Sequence, residues 1–122
     1  MAKRILIVED DEDIVFILRQ KLQQDGYEVE SAGDGEMAIS QIQQNPPDLV
    51  ILDLMLPKID GNTVRLKMKD NPETASIPVI VITGRVQLKE LLNLGEDMTI
   101  AGYLEKPFSS NLLLEKVHEL TR

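Results

Sequence analysis

Short apolar runs alternate with amphipathic segments along the whole of this 122-residue chain. Leu49 to Leu52 form a run too short for a core helix, and they read as a buried strand. Ile14, Ile17, Leu18 and Leu22 recur instead at helical spacing. Repeated from end to end, this pattern predicts βαβ units and a parallel sheet covered by helices on both faces.

In chain order, residues 4–8 make the first strand, and the acidic run Glu9-Asp10-Asp11-Glu12-Asp13 opens a helix that Gly26 stops. Residues 27–32 alternate apolar and acidic side chains, as a half-exposed edge strand does, and Gly33-Asp34-Gly35 turns the chain. Ala38, Ile39 and Ile42 mark a second helix that Asn45-Pro46-Pro47 cannot continue. Beyond the third strand, Asp60-Gly61 starts a helix with Val64 and Met68 on one side, running to about Asn71-Pro72. Residues 77–82 follow as the fourth strand, with Pro78 near its start, where a lost ladder bond costs least. A leucine-rich helix is expected over 86–94 up to Gly95, while residues 96–100 resist assignment. Residues 101–104 form the fifth strand, and Ser109 or Ser110 caps a last helix with Leu113, Val117 and Leu120 facing inward.

Composition narrows the class. The chain has no cysteine, which excludes disulfides, thiolate catalysis and cysteine-based zinc sites together. No stretch has the length of a signal peptide's central region or of a membrane span, so a cytoplasmic protein without a membrane partner is expected. Acids outnumber bases 21 to 13, and the net charge of −8 argues against direct, nonspecific nucleic-acid binding. No linker or repeat interrupts the pattern, so residues 1–122 are read as a single domain that contains no output module.

Four of the five strands deliver a polar group at their carboxyl ends: Glu9 and Asp10, then Asp53, Thr83 and Lys106. Ligands of open parallel sheets bind at that edge, where strand order reverses. With strand order 2-1-3-4-5, three carboxylates meet at the centre and require a cation. Magnesium suits them, because it takes oxygen ligands, keeps waters and reaches for phosphate oxygens. Asp10 and Asp53 are the candidate direct ligands, Glu9 holds a metal-bound water, and the backbone carbonyl of Met55 completes the set. Lys106 offers a point charge and Thr83 a hydroxyl to a phosphate. No Ser-His or Cys-His arrangement exists, so the candidate nucleophile is a carboxylate, Asp53 being the central one.

The ordered segments Ile5-Leu6-Ile7-Val8-Glu9-Asp10-Asp11, Asp53-Leu54-Met55-Leu56-Pro57-Lys58-Ile59-Asp60-Gly61, Ile82-Thr83-Gly84 and Gly102-Tyr103-Leu104-Glu105-Lys106-Pro107-Phe108 resemble the receiver domain of bacterial two-component response regulators. The resemblance covers the whole chain. It implies a doubly wound (βα)5 flavodoxin-like α/β fold, a three-layer sandwich whose five-stranded parallel sheet has the order 2-1-3-4-5. It also implies a signalling switch that catalyses only its own phosphorylation and dephosphorylation. Asp53 would take a phosphoryl group from a sensor histidine kinase or a histidine phosphotransfer protein, with Mg2+ held by Glu9 and Asp10. Lys106 would pair with the phosphoryl oxygens, and the bond before Pro107 would be cis. Met55 and Arg85 occupy rate-tuning positions, and Asp11 only adds negative potential. Thr83 and Tyr103 would switch the surface of the fourth helix, fifth strand and fifth helix, with Leu88 and Leu91 on the readout face. That surface would address a downstream protein or output domain, in a monomer or a phosphorylation-dependent dimer. One departure is the stretch 96–101, which replaces a shorter turn.

Other readings compete. A haloacid dehalogenase-type phosphatase carries a second acid two residues past its nucleophile, where this chain has Met55. A flavodoxin relative would repel its cofactor phosphate with the acids after the first strand. A degenerate receiver fold could act as a phosphorylation-independent interaction module. Taken singly, Asp53 is a loop acid, Thr83 a cap and Lys106 a solvated charge; His118, the only histidine, reads as exposed and inert.

Overall fold

The computed structural model describes residues 2–56, 58–59, 61–84 and 100–121, and of Thr83 and Ile100 the backbone alone. Five strands run parallel in the order β2-β1-β3-β4-β5: β1 (Arg4–Val8), β2 (Glu28–Ala32), β3 (Leu49–Asp53), β4 (Val79–Thr83) and β5 (Ile100–Glu105). The helices are α1 (Glu12–Gln24), α2 (Gly35–Gln44), α3 (Gly61–Asp70) and, after the segment outside the described residues, α4 (Ser110–Thr121).

The period-two geometry of the strands sorts their side chains between two cores. Leu6, Val8, Val50, Leu52, Val79 and Val81 pack with Ala38 and Ile42 of α2 and Val64 and Met68 of α3. Ile5, Ile7, Leu49, Ile51, Ile80 and Ile82 pack on the other face with Leu18 and Leu22 of α1 and Leu113 and Val117 of α4. The whole of β3 is buried, as its uninterrupted apolar run requires. β2 lies at the edge and alternates exposed and partly buried residues up to a buried Ala32.

Several boundaries differ from expectation for identifiable reasons. β2 begins one residue late, because the Tyr27 N–H is taken by the Leu22 carbonyl in closing α1. Gly26 does end that helix, in the left-handed region at φ 92°. β4 starts at Val79 rather than residue 77, since Ile77 donates to Thr74 in a turn and Pro78 has no N–H to offer. β5 gains a residue at each end. Ile17, placed inward by spacing, is 48% exposed. Ser109 is the residue that caps α4, its Oγ accepting from Leu112 N at 3.3 Å. The helix expected over 86–94 and the stretch 95–99 lie outside the described residues.

Asp11 has a definite structural task. Its carboxylate accepts the backbone N–H groups of Asp13 at 3.0 Å and Ile14 at 3.4 Å, capping α1. His118 is not solitary either. Its Nε2 lies 3.0 Å from Asp25 Oδ2, and its ring stacks on Tyr27 with centroids 6.0 Å apart. Tyr27 Oη in turn lies 2.8 Å from Thr121 Oγ1, so this corner joins α4 to the α1–β2 connection, away from the sheet's carboxyl edge.

Candidate functional site

β1 and β3 are paired neighbours, with Val8 opposite Leu52. The next residue on each, Glu9 and Asp53, therefore leaves the sheet side by side. Strand parity sends both toward the α1 and α4 face, and Lys106, two residues past Leu104 of that same core, follows them. The side chains meet: Lys106 Nζ donates to Glu9 Oε1 at 2.8 Å and to Asp53 Oδ2 at 3.0 Å. Met55 N donates to the other Asp53 oxygen, Oδ1, at 3.0 Å.

Burial makes this grouping costly. Glu9 and Asp53 are each only 2% exposed. Asp10 stands exposed beside them, and one carboxylate oxygen from each of the three lies within 4.8 Å of the others. Glu9 Oε2 is buried without a hydrogen-bond partner among the described residues. Burial, and then the hydrogen bond and charge of Asp53, push the Glu9 carboxyl up to about 8 against the pull of Lys106. Burial alone would lower the Lys106 ammonium, but its bonds to Glu9 and Asp53 outweigh that and raise it.

The donor set fits magnesium: hard oxygen ligands in a cluster whose negative charge Lys106, the one cation bonded to it among the described residues, does not offset. The same cleft is lined by Asp11, Leu54 and Leu56. Of the residues singled out by sequence, Glu9, Asp10, Asp53 and Lys106 come together, and Met55 reaches Asp53 with its backbone N–H. Thr83 closes β4 at the same edge, level with Glu105 of β5, while its side chain lies outside the described residues, as do Arg85, Leu88 and Leu91. Tyr103 pairs with Val81, two positions back from that edge, and is 43% exposed, so it takes no part in the cluster. The Lys106–Pro107 peptide is cis.

Two glycines bear on the site in a way that turn chemistry does not reveal. A Cβ on Gly61 would run into the Asp53 carbonyl oxygen and sit 2.6 Å from Leu54 Cα. One on Gly35 would meet the Ile59 carbonyl oxygen and sit 2.8 Å from that carbonyl's carbon. Each glycine is needed for close backbone approach, a contact between distant segments that no local pattern announces.

An open parallel sheet with buried acids and a lysine at its switch point defines a doubly wound α/β protein with a charged cleft at the carboxyl edge. The comparisons carry this further. The family model described as the response regulator receiver domain matches residues 5–118, and the chain belongs to that family. It is 38% identical over 122 residues to the response regulator PleD of Caulobacter vibrioides, covering 100% of this chain and 27% of PleD. It is 40% identical over 119 residues to the DNA-binding dual master transcriptional regulator RpaA of Synechocystis, covering 98% of this chain and 49% of RpaA. The chain thus spans half or less of these relatives' length. Among solved structures, the chemotaxis response regulator CheY4 of Vibrio cholerae superposes with a TM-score of 0.88 at 26% identity, covering 98% of this chain and 99% of that one. The flavodoxin-like receiver architecture and the signalling family are both as the sequence resemblance implied. No helix among the described residues is long and apolar enough to cross a membrane.

Proposed function

We propose that this chain is a phosphoaccepting receiver domain in which Asp53 takes the phosphoryl group. The observation that carries the reading is the buried Asp53 carboxylate, gripped by Lys106 at 3.0 Å and flanked by Glu9 and Asp10. The donor is a phosphohistidine on a sensor histidine kinase or a histidine phosphotransfer protein. An Asp53 oxygen attacks phosphorus, a P–O bond forms as the P–N bond breaks, and the histidine nitrogen leaves with the electron pair and takes up a proton.

Lys106, bonded to one Asp53 oxygen, would meet charge on the equatorial phosphoryl oxygens, and the Met55 N–H, bonded to the other, would orient the nucleophile. Asp10 and Asp53 would hold magnesium together with the Met55 carbonyl, Glu9 lying close enough to hold one of its waters. When bound, that ion supplies charge neutralisation between acid and phosphate. Thr83 and Tyr103 are read as the switch pair, biasing the surface around β5 and α4 toward a downstream protein or output domain. The catalysis is confined to the chain's own phosphorylation and dephosphorylation. A cytoplasmic location, monomer or phosphorylation-dependent dimer, fits this role. With a net charge of −8, DNA contact of the kind RpaA's name describes is assigned to other domains.

Incubation with acetyl phosphate and magnesium is expected to add one phosphoryl group by intact mass. A chelator prevents the addition. Wild-type protein that stays unmodified with several donors and shows no magnesium affinity would overturn this reading and favour a phosphorylation-independent interaction module.

A further inference from the structure

We infer that the start of α2, through Gly35 and the Lys58 ion pairs, positions the backbone at Met55 and thereby sets magnesium affinity; this rests on the cation site proposed above. The loop from β3 to α3 contains Met55, whose N–H orients the Asp53 carboxylate. That loop is held at two backbone contacts where side chains are excluded. Gly61 lies against Asp53 and Leu54 and donates its N–H to the Leu54 carbonyl at 3.1 Å. Gly35, the buried first residue of α2, lies against the Ile59 carbonyl.

A charged clasp sits beside the second contact. Lys58 Nζ is 3.6 Å from Asp34 Oδ2 and 3.7 Å from Glu36 Oε2, on either side of Gly35. Lys58 reaches them from φ 66°, a conformation that disfavours lysine. Asp34 is the cap of α2, accepting from Met37 N at 2.9 Å, so the clasp joins the loop to a fixed helix terminus. Here the loop is the weaker partner. α2 is anchored by buried Ala38 and Ile42, whereas Leu54, Leu56 and Ile59 are only partly buried. A methyl group at position 35 therefore displaces the loop rather than the helix, and the displacement reaches Met55 four residues away. Gly35 and Lys58 are positioning residues: neither belongs to the acid cluster.

Gly33 supplies the control, since a Cβ there meets nothing within 4 Å. Magnesium titration of the full chain, followed at the Met55 amide by nuclear magnetic resonance, tests the inference. Gly33→Ala is expected to match wild type. Gly35→Ala shifts the Met55 amide before any magnesium is added and weakens magnesium binding about tenfold, the scale of lost outer-shell support. Lys58→Asn keeps a residue tolerant of positive φ while removing the charge, and weakens binding about twofold, in keeping with an exposed ion pair. A folded Gly35→Ala protein with an unmoved Met55 amide and wild-type affinity overturns the inference, as does a shift confined to α2. If Gly35→Ala does not fold, Lys58→Asn decides, and wild-type values there overturn it. Should wild-type protein bind no magnesium, the proposed cation site fails, while the metal-free Met55 amide still tests the loop contact.

Discussion

At the amino end of the sheet Arg4 meets two acids, and at the carboxyl end Lys106 meets two acids, yet the acids differ in burial. The Arg4 backbone N–H donates to Asp48 Oδ2 at 2.8 Å, and its guanidinium reaches Glu30 Oε1 at 3.2 Å and the carbonyls of Asn45 and Pro46 at 3.3 and 3.1 Å. Water reaches this group, with the Glu30 side chain 53% exposed. At Lys106 the acid side chains are 0% and 3% exposed, and one Glu9 oxygen has no partner among the described residues. Ion pairs with an exposed partner contribute little and are readily replaced. Buried carboxylates oppose folding, so two of them on one lysine point to chemistry rather than to architecture.

Mutation at the carboxyl end should break the contrast most sharply. Asp53→Asn is expected to abolish phosphoryl incorporation from acetyl phosphate, read by intact mass. Lys106→Met comes next, since it leaves two buried carboxylates without their cation. It should cost the metal-free protein about 2 kcal/mol in denaturant unfolding at pH 8, with magnesium restoring part of the loss.

The Glu9 proton sharpens the comparison further. Its carboxyl is raised from 4.5 to about 8 in the folded, metal-free chain, so between those values the folded state binds more protons than the unfolded one. Its contribution to stability therefore declines as pH rises through that window. Magnesium competes with the same proton, so magnesium affinity should rise from pH 6 to about 8 with proton release. Calorimetry in buffers of different ionisation enthalpy measures that release, and Glu9→Gln should remove it. At the amino end, Arg4→Ala should cost about 1 kcal/mol or less by thermal unfolding and leave magnesium affinity unchanged. A large loss of metal binding there would erase the distinction between the two ends.

Much of this was legible in the chain itself. The uninterrupted apolar run before Asp53 specified a central strand, and the polar residues after the strands specified the edge where Glu9, Asp10, Asp53 and Lys106 meet, because strand ends are local features with a local signature. Long-range contacts have none. Gly33-Asp34-Gly35 reads as a turn, and only the fold shows that Gly33 faces open space while Gly35 lies against Ile59. His118 is exposed, as its sequence context implies, but its contacts with Asp25 and Tyr27 are not legible there because both lie more than ninety residues away in the chain. Asp11 is a helix cap rather than only a source of negative potential, and spacing alone does not separate the two roles within a run of five acids.

The pairing of Val8 with Leu52 has a consequence for how such a site can change. The roots of Glu9 and Asp53 are spaced by a hydrogen-bonded ladder, whose pitch of about 4.8 Å is common to all sheets. Side-chain substitution cannot stretch that gauge, and inserting one residue into either strand would turn its acid to the opposite face. The gap between the two acids is thus inherited from the backbone. Variation in the spacing of other groups around the two acids has to come from the loops above the ladder, which can be rewritten without disturbing it.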